Sequence, residues 1–446
     1  MKLTEKSLAA INTASVCALL FIWVLPDTIA LRHLLLGIGC LSGLVLIRDN
    51  RTFFIPFRTA LIPLILLCSL FIWVGIHYLF FSLNPALELS EIRGLWLRAF
   101  AGVIMALGLA ISIQKYSYFS KYFIFSLFFV PLINLSAYIY AGFQNGGLVR
   151  PNDFVRFLFI KIETTYFGAI ASSAAIANLI YFLVLRIDDK NYKLITFNFL
   201  GLVVVLLSAL VVGTKNGVAI AVSLCVLLVL IMAIGILKNL HRVNRVSLLL
   251  CLLVILAVGG VWKSHKTTAY EGWDTIFSDV KVGVQIDKYH QWQEGEHEFI
   301  APINEKGIPV VGNSYFRTAW ATVGVRLISE YPLGYGSINR SFVGLLDEAN
   351  INHVHQGQVH SGWIDFGLAY GLPGLLIIFA TMLVIIFMGI AQPYLQNIYA
   401  VMICIALIPM GIIAEITYKQ YFEATIFFLA FAASNILCSK TQSFKK

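Results

Sequence analysis

About twelve runs of roughly twenty apolar residues dominate this chain, more than any water-soluble core accommodates. They fall near 7–25, 29–47, 59–82, 95–113, 122–140, 164–185, 194–213, 217–237, 246–262, 373–391, 398–415 and 422–438. A bilayer is crossed by about 20 such residues in a helix. Only a helix or a closed barrel satisfies the backbone polar groups at that depth. The expected fold is an all-α polytopic membrane protein with about twelve transmembrane helices. Composition agrees, with 59% hydrophobic and 12% charged residues, against roughly half and a quarter in soluble domains.

Lysine and arginine in the short connections set the expected orientation. An N-terminus in the cytoplasm places "MKLTEK", "IRDNRTFFIPFR", "QKYSYFSK", "RIDDKNYK", "KNLHRVNR" and the tail "SKTQSFKK" inside. The outer side then receives "PDT", "SLNPALELSEIRG", "GTKNG" and "TYKQYF", which are poorer in basic residues. The net charge of +9 fits this retention of cations on one side, and no nucleic-acid partner is expected. Cys17, Cys40, Cys68, Cys225, Cys251, Cys404 and Cys438 all fall within apolar runs. They point to small core residues rather than to a disulfide framework.

Residues 263–362 break the pattern as a hydrophilic block on the outer side, where six of the nine histidines lie. The expected organisation is helices 1–9 over 1–262, the loop over 263–362, and helices 10–12 with a cytoplasmic tail over 363–446. A structureless loop of that length is uncommon and marks function. Within it, "NSYFRTAWATVGVRLISE" has helical spacing, with Phe316, Ala319, Trp320, Val323 and Leu327 on one face. "YPLGYGS" ends that helix, and "INRSFVGLLDEAN" suits a second, shorter one.

Several signatures of soluble enzymes are missing: there is no phosphate-binding Gly-rich loop with lysine, no HExxH and no CxxC. Chemistry at the outer face therefore requires a reactant that arrives activated, such as a lipid-carried substrate. His360 is the sharpest candidate, because it stands where the loop re-enters the membrane and imidazole accepts a proton near neutral pH. His353 and His355 are expected to be solvated. A zinc site from the three histidines with Asp365 is the competing reading of the cluster.

Gly367, Gly371 and Gly374 make one helical face smooth, for a lipid chain or a neighbouring helix. "GLPG" suits a helix stop at Gly371 and a restart at Pro373. Lys215, in "GTKNG", is either a point charge for phosphate or a snorkelling lysine. Arg317 offers a guanidinium fork for pyrophosphate oxygens, or an ion pair with Glu330 or Asp347. Arg93, Arg98, Arg150, Arg156 and Lys161 are further outer-side cations, and Arg98 stands out by falling inside a helix.

"HSGWIDFGLAYGLPG" resembles the signature of the O-antigen ligase family: a histidine, then Asn, Ser or Gln, nine residues, and Gly-x-x-Gly. Here these are His360, Ser361, Gly371 and Gly374. Topology resembles the family across the chain, whereas motif-level resemblance is confined to short windows. Lys215 stands where the family usually carries arginine, which keeps the charge and loses the bidentate fork. Arg317 with Trp320 matches the family's "R-x-x-W" helix.

The resemblance implies a GT-C-like glycosyltransferase in the bacterial inner membrane with its site facing the periplasm. It would transfer a glycan polymer from undecaprenyl pyrophosphate to lipid A–core, inverting and independent of metal or other cofactor. His360 would be the base, with Lys215 and Arg317 at the donor pyrophosphate and Asp365, Ser361, Arg98, Gly371 and Gly374 in support. An O-antigen polymerase and a protein O-oligosaccharyltransferase share this donor chemistry. A lipid-linked sugar transporter is the alternative of another class, against which stand the absence of an internal repeat and charges gathered at the outer edge.

Overall fold

The computed structural model describes residues 4–23, 25, 27–51, 58–147, 161–186, 191–238, 245–268, 273–295, 300–353, 357–415, 417 and 419–443. The first half comprises α1 (Glu5–Ile22), α2 (Ile29–Asp49), α3 (Ile62–Phe80), α4 (Pro85–Glu91), α5 (Leu97–Lys115), α6 (Phe119–Gln144), α7 (Lys161–Ile180) and α8 (Tyr192–Val212). Next come α9 (Lys215–Lys238), α10 (Arg245–Thr268), α11 (Ile276–Gly283), α12 (Gly312–Glu330) and α13 (Ser341–Glu348). The chain ends with α14 (Gly362–Ala391), α15 (Leu395–Ile413) and α16 (Lys419–Ser443). Twelve spans among the described residues are long and apolar enough to cross a membrane. One of them, Pro85–Lys115, joins α4 to α5 through a π-helical turn at Ile92–Trp96. The protein is a multi-pass, all-helical membrane protein.

Transmembrane helices associate through small residues and interhelical hydrogen bonds. Both devices operate where α1, α2 and α5 meet. A Cβ on Gly108 would stand 2.7 Å from Gly43 Cα, so α2 and α5 touch backbone to backbone. Asn12 of α1 donates from Nδ2 to the carbonyls of Gly39, at 2.9 Å, and Met105, at 3.4 Å. Deeper in the bundle, Asn134 bonds Ser208 and Asn178 bonds Asn198. The apolar window of α16 is wholly buried, whereas only 17% of the α10 window is. Therefore α16 is the central staff of the bundle and α10 lies at its margin. Cys225, Cys404 and Cys438 are buried as expected, but Cys68 is exposed on the apolar flank of α3.

The two ends of the bundle sort as the charge pattern requires. At one end, Glu5 accepts from Asn50 at 2.9 Å and from Lys115 at 2.5 Å. At the other end gather the connections near residues 82–94, 213–217 and 411–417, together with the loop. Leu83 N–H donates to the Tyr335 carbonyl there. Of the basic connections, 52–57, 187–190, 239–244 and the tail at 444–446 lie outside the described residues.

The loop folds around its own core. Phe316, Ala319, Trp320, Val323 and Leu327, the expected apolar face of α12, are buried with Phe342, Leu345 and Leu346 of α13. Short helices α4 and α11 were not foreseen from the apolar pattern. The tenth span also begins at Gly362, eleven residues earlier than the apolar run at 373. Residues 362–370 form a separate buried helical piece, cut from the span by Gly371 at φ 65°, ψ −169°. A Cβ on Gly371 would meet the Pro332 carbonyl oxygen at 2.2 Å. The stop and restart expected at "GLPG" is therefore present, and it lets the Pro332–Leu333 turn press against the kink.

Candidate active site

The connection between α15 and α16 organises the site. The Ile413 carbonyl accepts from Asn216 Nδ2 at 2.8 Å and from Arg317 Nη1 at 3.4 Å. The Gly411 carbonyl accepts from Ser361 Oγ, and the Ala414 carbonyl from the Gly362 N–H. Thr417 Oγ1 donates back to the Gly362 carbonyl at 3.0 Å. Three separate stretches of sequence are thus tied to one short segment. The end of a helix leaves carbonyls without intrahelical donors, and here those of α15 serve as the anchor.

His360 sits inside this frame with φ 61°, a left-handed conformation rare for a residue with a Cβ. Strain of this kind persists only where surrounding contacts fix it, and it clusters at functional sites. The ring packs on Trp320 with centroids 5.7 Å apart. Its Nδ1 is paired with Glu415, and the two side chains are 27% and 14% exposed. Burial pushes the Glu415 carboxyl upward, but the hydrogen bond and charge of His360, with the Arg317 charge, outweigh it and hold it below 4.5. A carboxylate on Nδ1 fixes the ring's tautomer with its proton on that nitrogen, so proton uptake falls to Nε2.

Arg317 projects from α12 towards the same connection and lies within electrostatic reach of Glu415. Its partner is therefore this segment, not Glu330 or Asp347 as the alternative reading had it. Asp347 instead pairs with His353 at 3.0 Å. Lys215 opens α9 directly after the left-handed Gly213 that closes α8. It stands next to Asn216 and within electrostatic reach of Asp279 and His265.

The remaining candidates divide. Asp365 is buried and its Oδ1 accepts the Val359 N–H at 2.9 Å, so it shapes the backbone before His360 rather than orienting the imidazole. Ser361 anchors that backbone to α15. Gly367, Gly371 and Gly374 are all buried and meet Ile328, the Pro332–Leu333 turn and Tyr370, which makes them a protein-packing face and not a lipid-facing one. Arg98 bonds Glu423 at 2.5 Å and lines a crevice distinct from the histidine cluster. His353 is not solvated as expected, because its side chain is only 6% exposed. His355, Arg150 and Arg156 lie outside the described residues, as does the side chain of Lys161. Among the described residues no three His, Cys, Asp or Glu side chains gather as a metal site would need.

Glu415 is the site residue that the pattern of the sequence did not single out. Its one signal was a lone acid closing an apolar run in the last outer connection.

A bundle of membrane-crossing helices, capped by a folded loop and with a strained histidine, a carboxylate and two cations gathered at one end, defines the class. It is a multi-pass membrane protein with a polar site at the end of its bundle. Residues 201–379 match the family model described as O-antigen ligase. Over that segment the chain is similar to the O-antigen ligase family, which supports an enzyme of the ligase or polymerase type. The matched segment includes Lys215, Arg317, His360, Asp365, Gly371 and Gly374, and excludes Arg98 and Glu415. A search among curated proteins finds no match.

Proposed function

We propose that the protein is an O-antigen ligase, transferring a glycan from undecaprenyl pyrophosphate to a sugar hydroxyl of lipid A–core at the periplasmic face of the inner membrane. The observation that carries this reading is the convergence of His360, Arg317 and the Lys215–Asn216 turn on the 411–417 connection. His360, held at Nδ1 by Glu415, takes the proton of the acceptor hydroxyl at Nε2. The freed oxygen attacks the anomeric carbon from the face opposite the pyrophosphate, so the configuration inverts. The bond to pyrophosphate breaks, and Arg317 and Lys215 stabilise the charge that develops there. Activation is stored in the diphosphate, so no nucleotide, metal or other cofactor takes part.

Purified protein given the lipid-linked donor with lipid A–core, with a second lipid-linked repeat, or with an acceptor protein tests the assignment. Glycan attached to lipid A–core, in the presence of a chelator, is the expected product. Extension of the polymer on undecaprenyl pyrophosphate alone would make the protein a polymerase instead. Glycan on the acceptor protein alone would make it a protein O-oligosaccharyltransferase.

A further inference from the structure

Beyond the histidine cluster, a cavity of about 480 Å³ opens between the first turn of α2, the π-turn before α5, and the start of α16. Its lining includes Arg32, His33, Glu91, Arg98, Thr417 and Glu423. The two carboxylates play different parts. Glu91 is used up by structure, accepting from Ser337 Oγ at 2.8 Å and from the N–H groups of Ile338 and Asn339, each at 2.9 Å. It fastens the loop to the π-turn. Glu423 accepts from Arg98 Nε at 2.5 Å, and Arg32 and His33 lie within its electrostatic reach.

Three basic side chains therefore face Glu423, and of them only Arg98 bonds it. Among the described residues, neither the Arg32 guanidinium, the His33 ring nor the terminal nitrogens of Arg98 make a hydrogen bond. Guanidinium donors without partners in a half-open cavity suit the oxygens of a phosphate, which a fork engages in pairs. The cavity's surroundings select a lipid phosphate, because Ile29, Leu97 and Phe100 beside it are exposed apolar residues of membrane-crossing helices. Snorkelling does not account for Arg98, whose pairing turns it towards α16.

The crevice and the histidine both touch one short segment. Glu415 of that segment holds His360, and Thr417, two residues on, lines the crevice. A transfer between two lipid-anchored molecules needs two separate places for their head groups. The Lys215–Arg317 side serves the donor in the reading above, which leaves this crevice for the other substrate. Resting on that reading, we infer that the crevice at Arg32, His33 and Arg98 binds a phosphate of the lipid acceptor, holding its sugar hydroxyl towards His360.

The test uses the full-length protein in lipid nanodiscs, with native mass spectrometry to read retained lipid without turnover. Four probes are compared: phosphorylated lipid A–core, its phosphatase-treated form, undecaprenyl pyrophosphate and phosphatidylglycerol. The expected result is about a ten-fold preference for the phosphorylated acceptor over the dephosphorylated one. Arg32→Gln should abolish that preference and leave undecaprenyl pyrophosphate retained, whereas Arg32→Lys should keep part of it. An undiminished preference in Arg32→Gln overturns the inference. So does parallel loss of undecaprenyl pyrophosphate, which would make the crevice a donor site, or retention of phosphatidylglycerol equal to that of the acceptor. If the lipid preferences come out as expected while no glycan transfer to lipid A–core occurs, the crevice stands and the ligase reading fails.

Discussion

Glu415 and His360 form a pair whose two halves have different consequences when removed. His360→Ala removes the proposed base, and proton transfer by a positioned side chain contributes about 10²–10⁴-fold to such reactions. Transfer should fall by that range with the protein still folded, as single-turnover assays would read. Glu415→Gln keeps the shape and removes the charge, so it should lower kcat about ten-fold or more while donor KM stays put. A merely structural Glu415 would move both together. The pH dependence follows from the direction of its shift. The Glu415 carboxyl sits below its ordinary value of 4.5 in the folded protein. Its contribution to stability is thus fully present above that value and is lost as pH falls through the depressed one. The Tm difference between the parent protein and Glu415→Gln, measured at neutral pH and again in the acid range, should shrink on acidification. Of these two residues only His360 was legible, because a motif with fixed spacing announces itself locally. Glu415 lies 55 positions away, and only the fold of the 411–417 connection brings it to the ring.

Helix α14 shows what an element's sequence reveals and withholds. Gly371 and Pro373 marked the break in advance, since a left-handed residue and a proline each stop a helix for backbone reasons alone. Gly371→Ala should strain the backbone and push against the Pro332 carbonyl, costing about 1–3 kcal/mol. A lowered Tm, and weakened hydrogen-exchange protection in α12 and α14, would register it. Unforeseen was the burial of His77 of α3 with Glu88 of α4, Nδ1 to Oε1 at 2.9 Å and both side chains wholly buried. Glu88→Ala leaves that imidazole nitrogen without its partner, and a buried polar group left unsatisfied costs about 1–3 kcal/mol, read as a lowered Tm. The helices themselves were easy to find by length and apolarity. Their arrangement was not, because a helix facing lipid is as apolar as one facing protein. Nothing in the α16 run distinguished the wholly buried central helix from the marginal α10.

Across the whole molecule, the alternation of basic and less basic connections foretold which helix ends lie together. Glu5, Asn50 and Lys115 meet at one end, while the loop meets residues 82–94, 213–217 and 411–417 at the other. The loop's internal packing was half visible, since α12 had an apolar face that water would not tolerate. The folded cap around it, and the crevice shared with α2 and α16, arise from contacts between distant segments. Topology is checked by single cysteines in a cysteine-free background. Lys288→Cys, at an exposed position of the loop, should react with an impermeant maleimide in intact spheroplasts, and Asp49→Cys only after lysis. The central claim, that His360 drives transfer of a lipid-linked glycan onto lipid A–core, is tested most directly by the lipopolysaccharide of a strain lacking this protein. Reintroducing the parent chain should restore the ladder of glycan-capped lipopolysaccharide. The His360→Ala chain, present at equal level in the membrane, should leave core-only lipopolysaccharide with lipid-linked polymer accumulating. A full ladder from His360→Ala would contradict the account.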